Sequence, residues 1–266
     1  MPNDLLNDHL NYVPAAGLLQ DKVILVTGAA MGIGRAAALA YARYGATVVL
    51  LDKQVGHLEK VYDEIVAAGG AEPAIYPLDL QGANNDDYLA LAENIRKPLG
   101  RLDGLLLNAA WLAAFMPIKQ HEVDLWSKML TVNLHANFLL VKACLPLLEA
   151  APDAAIVFSS DSSDKAYYGA YGVSKGAMDA FCAILAQEYD QERAFIRVNR
   201  IDTGPVLSTT RALHFPGEHP DTLVHPEQIV GPYLYFMGAD AGRQTGVGLK
   251  LGRVPADFRW PGGRLG

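Results

Sequence analysis

From about residue 20 onward, short apolar runs alternate with longer helical segments. The runs are β-branched or leucine-rich, with few polar positions, which is typical of strands buried on both faces. The pattern predicts an α/β protein with a doubly wound parallel sheet, helices on both faces and three α/β/α layers. The predicted strands are 22–27, 46–51, 74–78, 104–107, 155–158, 195–201 and, with a weaker pattern, 246–251. The predicted helices are 34–45, 56–68, 87–97, 122–149 and 170–190.

Length and composition favour one domain. The chain has 266 residues, 51% apolar and 19% charged, a composition that excludes an intrinsically disordered protein. α/β domains of this size are routine. We expect residues 1–20 to be a polar extension and 21–266 a single domain that holds both cofactor-binding and catalytic residues.

Charge and cysteine usage exclude several function classes. The 22 basic and 29 acidic residues give a net charge of −7, and no basic stripe indicates a nucleic-acid binder. The N-terminus lacks a signal-peptide pattern. The most apolar stretch, 104–118, is interrupted by Asn108 and Pro117 and is shorter than the roughly 20 residues of a spanning helix. Cys144 and Cys182 form neither a disulfide framework nor a zinc pattern. We expect no membrane, no metal and a cytoplasmic location.

A glycine-rich turn follows the first predicted strand. The sequence TGAAMGIG occupies 27–34 and opens a helix, with glycines at 28, 32 and 34 and with Met31 and Ile33 between them. Such a turn lets the backbone approach a pyrophosphate, while the helix N-terminus supplies N–H groups and positive dipole. The GxxxGxG spacing differs from the general GxGxxG fingerprint, and a purely structural turn is the alternative.

Carboxylates follow the second and third predicted strands. Asp52 is placed to bind the adenosine ribose hydroxyls and would repel a 2′-phosphate, which favours NAD over NADP. Lys53 would soften that repulsion. Asp79, followed by Leu80, is placed to accept a hydrogen bond from the adenine amino group. The alternative for both aspartates is an exposed position in a loop or turn.

Tyr171 and Lys175 lie within the sequence YGVSK. At i and i+4 on a helix they share one face. A tyrosine with a pKa near ~10 is a poor base at neutral pH, but a neighbouring ammonium favours the phenolate. Tyr171 could then exchange a proton with a substrate oxygen.

These motifs together resemble the short-chain dehydrogenase/reductase family over about residues 20–250. Besides the glycine-rich turn and YGVSK, they include Asp79, NAA at 108–110, Asn133 within TVNL and RVNRIDTGPV at 197–206. The stretches YARYGATV, HFPGEHP and MGADAGRQTG look most like the YciK-like branch of bacterial oxidoreductases. The resemblance implies a Rossmann-type fold. It also implies that Tyr171 is the catalytic acid/base, that Lys175 binds the nicotinamide ribose, and that Asn133 holds a relay water.

Further roles are implied by the same resemblance. Asn108, Ala109 and Ala110 would line the adenosine side of the cofactor. Gly204 and Val206 would belong to the loop that closes over the nicotinamide, with Ser208 at the carboxamide. A homodimer or homotetramer would form through the helices 122–149 and 170–190.

The chain departs from the family pattern at three places. The position of the substrate-polarising serine, counted back from Tyr171, holds Phe158; depending on the gap, Ser160 or Ser162 could serve, and one alignment places Asp161 there. We favour Ser160, because a carboxylate repels a developing oxyanion. Ala110 replaces a glycine, and Asp202-Thr203-Gly204 replaces asparagine-proline-glycine.

The sequence thus predicts an NAD(H)-dependent oxidoreductase that interconverts an alcohol and a ketone or aldehyde, with Ser160 orienting the substrate oxygen. One alternative is a dinucleotide-binding sensor or partner-binding protein with little turnover; another is an NADP-dependent reductase. Segments 111–121 and 205–225 would cover an apolar substrate pocket. Its expected lining is Trp111, Leu112, Phe115, Leu213, His214 and Phe215.

Overall fold

The computed structural model of the protein describes residues 8–161, 164–192 and 194–265. Within those ranges, seven strands are numbered β1 to β7 in chain order: Val23–Thr27, Thr47–Asp52, Ala74–Pro77, Gly104–Leu107, Ala154–Ser160, Ile196–Asp202 and Gly248–Lys250. They form one parallel sheet in the order β3-β2-β1-β4-β5-β6-β7. The chain reverses its direction of winding between β1 and β4, where the carboxyl ends of the strands leave a crevice.

Helices flank both faces of this sheet. In chain order we number them α1 to α8: Gly32–Arg43, Val55–Ala67, Asn85–Leu99, Val123–Leu130, Ala136–Glu149, Gly169–Glu188, Thr209–His214 and Gly231–Met237. Helices α1, α2 and α8 pack in one apolar layer, and α3, α5 and α6 pack in the other. The predicted three-layer, doubly wound architecture is confirmed; α7 and α8 have no counterpart in the sequence prediction.

The pattern of β1 explains why the sheet lies at the centre. Every side chain of the strand is buried. Ile24 and Val26 belong to the layer that contains α1, whereas Val23 and Leu25 belong to the layer that contains α5. Because successive side chains of a strand point to opposite faces, a continuous apolar run requires cover on both sides.

The predicted helix 122–149 is divided into α4, a π-helical turn at Thr131–His135, and α5. This stretch is long and apolar enough to cross a membrane by length and composition alone. Its α5 part, however, contributes Leu140, Val141 and Leu148 to the apolar layer on the sheet. Packing inside the fold therefore accounts for these apolar residues.

The segment before β1 is more than the polar extension that the sequence predicts. From residue 8 onward it packs on the domain, and Leu10 and Leu19 are buried. The indole nitrogen of Trp260 donates to the carbonyl oxygen of Tyr12, 2.8 Å away. The C-terminal tail therefore packs against the described part of the N-terminal segment of its own chain.

Candidate active site

A cavity of about 410 Å³ opens at the carboxyl ends of β1, β2, β4 and β5. The predicted cofactor residues line it together: Gly28, Met31, Gly32, Ile33, Asp52, Asp79, Leu80, Asn108, Ala109, Ala110, Gly204, Val206 and Ser208, with Tyr171 and Lys175. Gly34 stands behind this lining, where it shapes the turn. The crevice at the strand switch point therefore holds both the nucleotide motif and the tyrosine–lysine pair.

The glycine-rich turn presents a helix N-terminus to this cavity. Helix α1 begins at Gly32, and Met31, the residue before it, makes no side-chain cap hydrogen bond. The first N–H groups of the helix are therefore open to an anion. A Cβ on Gly34 would overlap the carbonyl oxygen of Gly28, so the close turn depends on a glycine at 34.

Thr27, which the sequence reasoning did not single out, joins β1 to the segment after β4. Its buried hydroxyl donates to the carbonyl oxygen of Leu106 (3.1 Å) and accepts from the N–H groups of Asn108 (2.9 Å) and Ala109 (3.0 Å). The amide of Asn108 donates back to the carbonyl oxygen of Thr27 at 3.1 Å. One hydroxyl thus fixes the glycine-rich turn against the end of β4. The sequence feature that indicates this role is a polar residue at the end of an apolar strand.

Asp52 and Asp79 stand at the ends of adjacent strands. The Asp52 carboxylate accepts from the N–H of Gln54 (3.1 Å), and the Asp79 carboxylate accepts from the N–H of Gln81 (3.1 Å). Lys53 lies 4.0 Å from Asp79. Since that pair is more than half exposed, it is screened by water. Both carboxylates keep further acceptor positions on the cavity.

Tyr171 and Lys175 project from α6 into the other end of the cavity. The Tyr171 hydroxyl donates to Asp161 Oδ2 at 2.8 Å, and Lys175 Nζ donates to the carbonyl oxygen of Ser159 at 3.0 Å. Burial, followed by the charge and hydrogen bond of Asp161, raises the pKa of Tyr171 well above its ordinary value. Burial lowers the pKa of Lys175, against the opposing effect of Asp161 and other carboxylates. Tyr171 therefore carries its proton at neutral pH.

Ser160, our predicted catalytic serine, does not reach the cavity. Its hydroxyl donates to Asp179 at 2.6 Å, whereas Ser159 and Asp161 line the cavity on either side of it. The reason is register: β5 continues to Ser160, two residues beyond the predicted end, and alternate residues point to opposite faces. Asp161 thus occupies the place beside Tyr171, and Ser162, the other candidate, lies outside the described residues.

Asn133 sits in the π-helical turn, 2% exposed. Its side-chain oxygen accepts from the N–H of Trp111 (2.7 Å), and its amide donates to the carbonyl oxygen of Trp111 (2.9 Å) and to Ser174 Oγ (3.1 Å). The side chain thus ties the segment after β4 to α6, and it does not line the cavity. That Asn133 also holds a relay water stays a prediction.

The loop after β6 accommodates its unusual aspartate. Asp202 accepts from the N–H of Gly204 at 2.9 Å and lies 3.6 Å from Lys250. Gly204 has a positive φ, and a Cβ there would overlap the carbonyl oxygen of Gly252. Ser208 accepts from the N–H of Arg211 at 3.1 Å and so caps α7. Asp202 therefore stabilises the turn in place of the family's asparagine.

Aromatic side chains line the cavity near Tyr171. Trp111, Leu112, Phe115 and Phe215 line it as predicted, but Leu213 and His214 do not. Leu213 is 71% exposed, because α7 turns that side chain outward. Lys128 lies over the Trp111 ring at 4.2 Å, and Arg211 lies over the Phe215 ring at 3.5 Å. Over the described parts of the chain, no group of three potential metal ligands occurs.

A doubly wound parallel sheet whose glycine-rich turn opens into the same cleft as a tyrosine–lysine pair is the architecture of Rossmann-type dinucleotide oxidoreductases. The chain belongs to the short-chain dehydrogenase/reductase family, because the family model for short chain dehydrogenases matches residues 22–218. It is also 40% identical over 241 residues to the oxidoreductase YciK of Escherichia coli, covering 90% of this chain and 94% of YciK. Its fold is accordingly that of a nicotinamide dinucleotide-binding oxidoreductase.

Two solved structures show the same fold with a cofactor. A short chain dehydrogenase from Shigella flexneri 2a, complexed with NADP, has a TM-score of 0.86 and 39% identity, covering 89% of this chain and 99% of that one. A short chain dehydrogenase from Escherichia coli CFT073, complexed with NADPH, also has a TM-score of 0.86, with 40% identity, covering 90% and 99%. The solved structure of Escherichia coli YciK has a TM-score of 0.86 and 40% identity, covering 90% of this chain and 98% of that one, and with the sequence match it places the chain in the YciK-like branch.

Proposed function

We propose that this protein is an NAD(H)-dependent oxidoreductase that interconverts an alcohol and a ketone or aldehyde. The observation that carries the proposal is the shared cavity of the uncapped N-terminus of α1 and the Tyr171–Lys175 pair. A bound nicotinamide dinucleotide supplies the hydride chemistry, and the protein supplies binding, orientation and a proton.

The residues that would hold the dinucleotide are spread along the cavity. The N–H groups at Gly32 and Ile33 would take the pyrophosphate, and Asp52 the adenosine ribose. Asp79 and Leu80 would flank the adenine. The remaining contacts would come from Asn108, Ala109 and Ala110 on the adenosine side and from Gly204, Val206 and Ser208 on the nicotinamide side.

Tyr171 would act as the proton donor to the substrate oxygen. Its pKa is raised by burial and by Asp161, so the phenol is protonated at neutral pH and has a proton to give in carbonyl reduction. Alcohol oxidation needs the phenolate, and it should therefore become faster as the pH rises. Lys175 is buried, and its Nζ lies 5.7 Å from the Tyr171 ring centroid, so its positive charge stabilises that phenolate. Lys175 would also bind the nicotinamide ribose.

Asn133 and the Ser159 hydroxyl would act indirectly, by holding neighbouring residues of the site in place. Asn133 fixes Trp111 and Ser174, and the Ser159 hydroxyl lies 3.1 Å from the side-chain oxygen of Asn108 and 3.2 Å from the Tyr233 hydroxyl. These bonds set the distance between the cofactor side and the substrate side. We assign no catalytic role to Ser160, since it faces Asp179.

The choice of NAD over NADP is the finer part of the proposal. Asp52 lines the cavity where a 2′-phosphate would lie, and a carboxylate repels that phosphate. The complexes of the Shigella and Escherichia coli relatives with NADP and NADPH favour the other cofactor. Lys53 beside Asp52 is the cation through which NADP could be accommodated in this chain.

Replacing Tyr171 by phenylalanine tests the enzyme proposal. We expect turnover of alcohols or ketones to fall by at least about 100-fold, the size of a general acid/base contribution. The dissociation constant of the dinucleotide should change by less than about threefold, because the phenyl ring remains. Unchanged turnover would contradict the role of Tyr171.

A protein that binds a dinucleotide with little turnover is the second candidate. The observation that favours it is the hydrogen bond from the Tyr171 hydroxyl to Asp161, because the proton that a substrate oxygen would need is donated to Asp161 instead. In that case cofactor binding would persist, and wild type and the Tyr171→Phe variant would be equally inactive toward every substrate.

We further propose a homo-oligomeric assembly and a cytoplasmic location. Phe138 on α5 and Val173 and Ile184 on α6 are exposed apolar side chains; we expect them to bury in a homodimer or homotetramer. Cys144 and Cys182 are free and buried, which suits a reducing cytoplasm. Size-exclusion chromatography with light scattering tests the assembly, and a monomer at micromolar concentration would contradict it.

A further inference from the structure

We propose that the substrate is an oxo acid, or the corresponding hydroxy acid, and that Lys128 binds its carboxylate. An apolar or aromatic body separates that carboxylate from the reacting carbon. The inference rests on the proposed function and adds a substrate class to it. Its starting point is a lysine that lines the cavity and lies on the face of the Trp111 ring.

The first step is the position of Lys128 on α4. Its side chain and that of Val132, one helical turn later, both line the cavity, so this face of the helix is turned toward the ligand space. Met129, the next residue, is fully buried in the apolar cluster that contains Tyr171. Trp111 packs against the same cluster. Lys128 therefore belongs to the catalytic end of the cavity.

The second step is the support that holds this lysine in place. Lys128 Nζ lies 4.2 Å from the centroid of the Trp111 ring, a distance at which the ring face attracts a cation. The N–H of Trp111 donates to the side-chain oxygen of Asn133 at 2.7 Å, and the Asn133 amide donates to the Trp111 carbonyl oxygen at 2.9 Å. Because Trp111 is fixed, the ammonium on its ring has a defined position beside the cavity.

The third step is the charge of the other cations that line the cavity. Arg211 donates to both carboxylate oxygens of Glu218, at 2.6 and 2.7 Å. Lys175 lies among carboxylates, of which Asp161 acts on it most strongly. Lys53, at the nucleotide end, lies 4.0 Å from a carboxylate oxygen of Asp79. Each of these cations therefore has an acidic neighbour in the protein.

Lys128 differs from them in its partners. An ammonium has three N–H donors, and within the residues that the structure describes those of Lys128 meet no carboxylate and no hydrogen-bond acceptor of the protein. Asp124, one turn earlier on α4, has the spacing of a helical ion pair, yet the ammonium lies on the Trp111 ring instead. Its donors are available to an anionic group of a ligand.

The fourth step is the arrangement of opposite charges, which limits the shape of the substrate. Asp161 lies 2.8 Å from the Tyr171 hydroxyl, and the reacting oxygen must approach the same hydroxyl. A carboxylate on the neighbouring carbon would therefore be repelled by Asp161. Phe115 and Phe215 line the cavity and suit an apolar body. A carboxylate at the far end of such a body avoids Asp161 and is attracted by Lys128.

The reaction balances without a further reagent. In reduction, the carbonyl carbon accepts a hydride with its two electrons from the reduced dinucleotide, and the C=O π pair moves to oxygen. Tyr171 gives that oxygen its proton, and the dinucleotide leaves oxidised. The carboxylate keeps all its bonds and serves only to bind and orient the substrate.

Two compounds of matched shape test the proposal. In 4-acetylbenzamide a neutral amide takes the place of the carboxylate of 4-acetylbenzoate, and the reacting ketone is the same. Their alcohols, 4-(1-hydroxyethyl)benzoate and 4-(1-hydroxyethyl)benzamide, are titrated at neutral pH into protein saturated with NADH or NADPH, whichever binds more tightly, while nicotinamide fluorescence is followed. We expect the acid to bind at least about 10-fold more tightly, because the ammonium gives it charge-assisted hydrogen bonds.

Two further measurements complete this test. A second pair, in which two methylene groups separate the ring from the acid or amide, covers a longer spacing, and the preference should occur in at least one pair. For that pair, kcat/KM for reduction of the ketone should favour the acid by about the same factor as the binding does.

Variants at two lysines locate the effect. Lys128→Met keeps an apolar chain over Trp111 and should bring the dissociation constants of acid and amide to within about twofold; Lys128→Gln should do the same should the first variant fold poorly. Lys128→Arg keeps the charge and should keep a preference for the acid. Lys119→Met removes an exposed lysine that does not line the cavity and should keep the wild-type ratio. Circular dichroism and dinucleotide binding confirm that each variant is folded.

Equal binding of acid and amide by wild type in both pairs would overturn the proposal, and so would failure of all four alcohols to bind. A preference that Lys128→Met leaves unchanged, or that Lys119→Met also removes, would overturn it too. The proposed function fails by a different result, namely no dinucleotide binding or no Tyr171-dependent reduction of any ketone. Reduction of 4-acetylbenzamide with no preference for the acid would leave the proposed function standing.

Discussion

The two ends of the cleft would recognise their ligands by different means. At the nucleotide end, the proposed binding depends on the glycine-rich turn and the backbone N–H groups at the start of α1, and Asp52 adds one charge. At the catalytic end, Asp161, Tyr171 and Lys175 form a cluster of titratable side chains linked by hydrogen bonds. Dinucleotide binding should therefore be sensitive to side-chain volume added at the nucleotide end. Turnover should be sensitive to charge and pH at the catalytic end.

The largest effect should follow from Gly34→Ala at the nucleotide end. The new Cβ would overlap the carbonyl oxygen of Gly28, so the turn must open or the helix must shift. We expect dinucleotide affinity to fall by at least about 100-fold, because correct placement is what the turn provides. Isothermal titration calorimetry measures it.

Gly56→Ala is the matched control for that variant. Gly56 lies in α2, and a Cβ there would meet nothing within 4 Å. It should leave affinity unchanged and raise stability by about 0.5–1 kcal/mol through helix propensity. Equal affinities of the two variants would contradict the sensitivity to volume at the turn.

Thr27→Val should give the next largest effect. It removes the hydroxyl that joins the two strand ends and leaves the N–H groups of Asn108 and Ala109 without that acceptor. We expect a loss of about 1–3 kcal/mol in the free energy of unfolding, the cost of unsatisfied buried groups. Urea denaturation measures it, and Thr27→Ser, which keeps the hydroxyl, should lose less; the reverse order would contradict the account.

Asp52→Ser tests the one charge at the nucleotide end. Removing the carboxylate removes the repulsion of a 2′-phosphate, so NADPH binding should improve relative to NADH by about 10-fold, or about 1.4 kcal/mol. Fluorescence titration of both cofactors measures the ratio. An unchanged ratio would show that Asp52 does not select the cofactor.

Asp161→Asn should give the smallest change at a single pH but should move the pH profile. Asp161 is second only to burial among the causes that raise the pKa of Tyr171, so neutralising it lowers that pKa. The phenolate then forms at lower pH, and kcat/KM for alcohol oxidation should begin to rise at lower pH than in wild type. A profile that moves toward higher pH, or stays in place, would contradict the coupling.

The nucleotide end was accessible from sequence, because its geometry depends on local backbone features that leave a trace in residue type. Gly34, in the first turn of α1, and Asp52, the last residue of β2, lie where strand–turn–helix reasoning places them. The spacing of Tyr171 and Lys175 likewise required one helical face, and the structure brings both into the cavity.

The loop after β5 could not be predicted in the same way. Strand β5 continues two residues further than its apolar run. As a result, Ser159 and Asp161 face the cavity, and Ser160 faces Asp179 instead. Composition does not determine that register, since several neighbouring polar residues fit either face. Helix α8 was missed for a related reason: with only seven residues, it is too short for a distinct period.

The central claim is a dinucleotide site selected by Asp52, and a titration of the purified protein with NADH and NADPH, followed by nicotinamide fluorescence, tests it most directly. We predict tight binding of NADH and weaker binding of NADPH. Tighter binding of NADPH would contradict the role of Asp52. Binding of neither cofactor would contradict the proposal that the protein is a dinucleotide-dependent oxidoreductase.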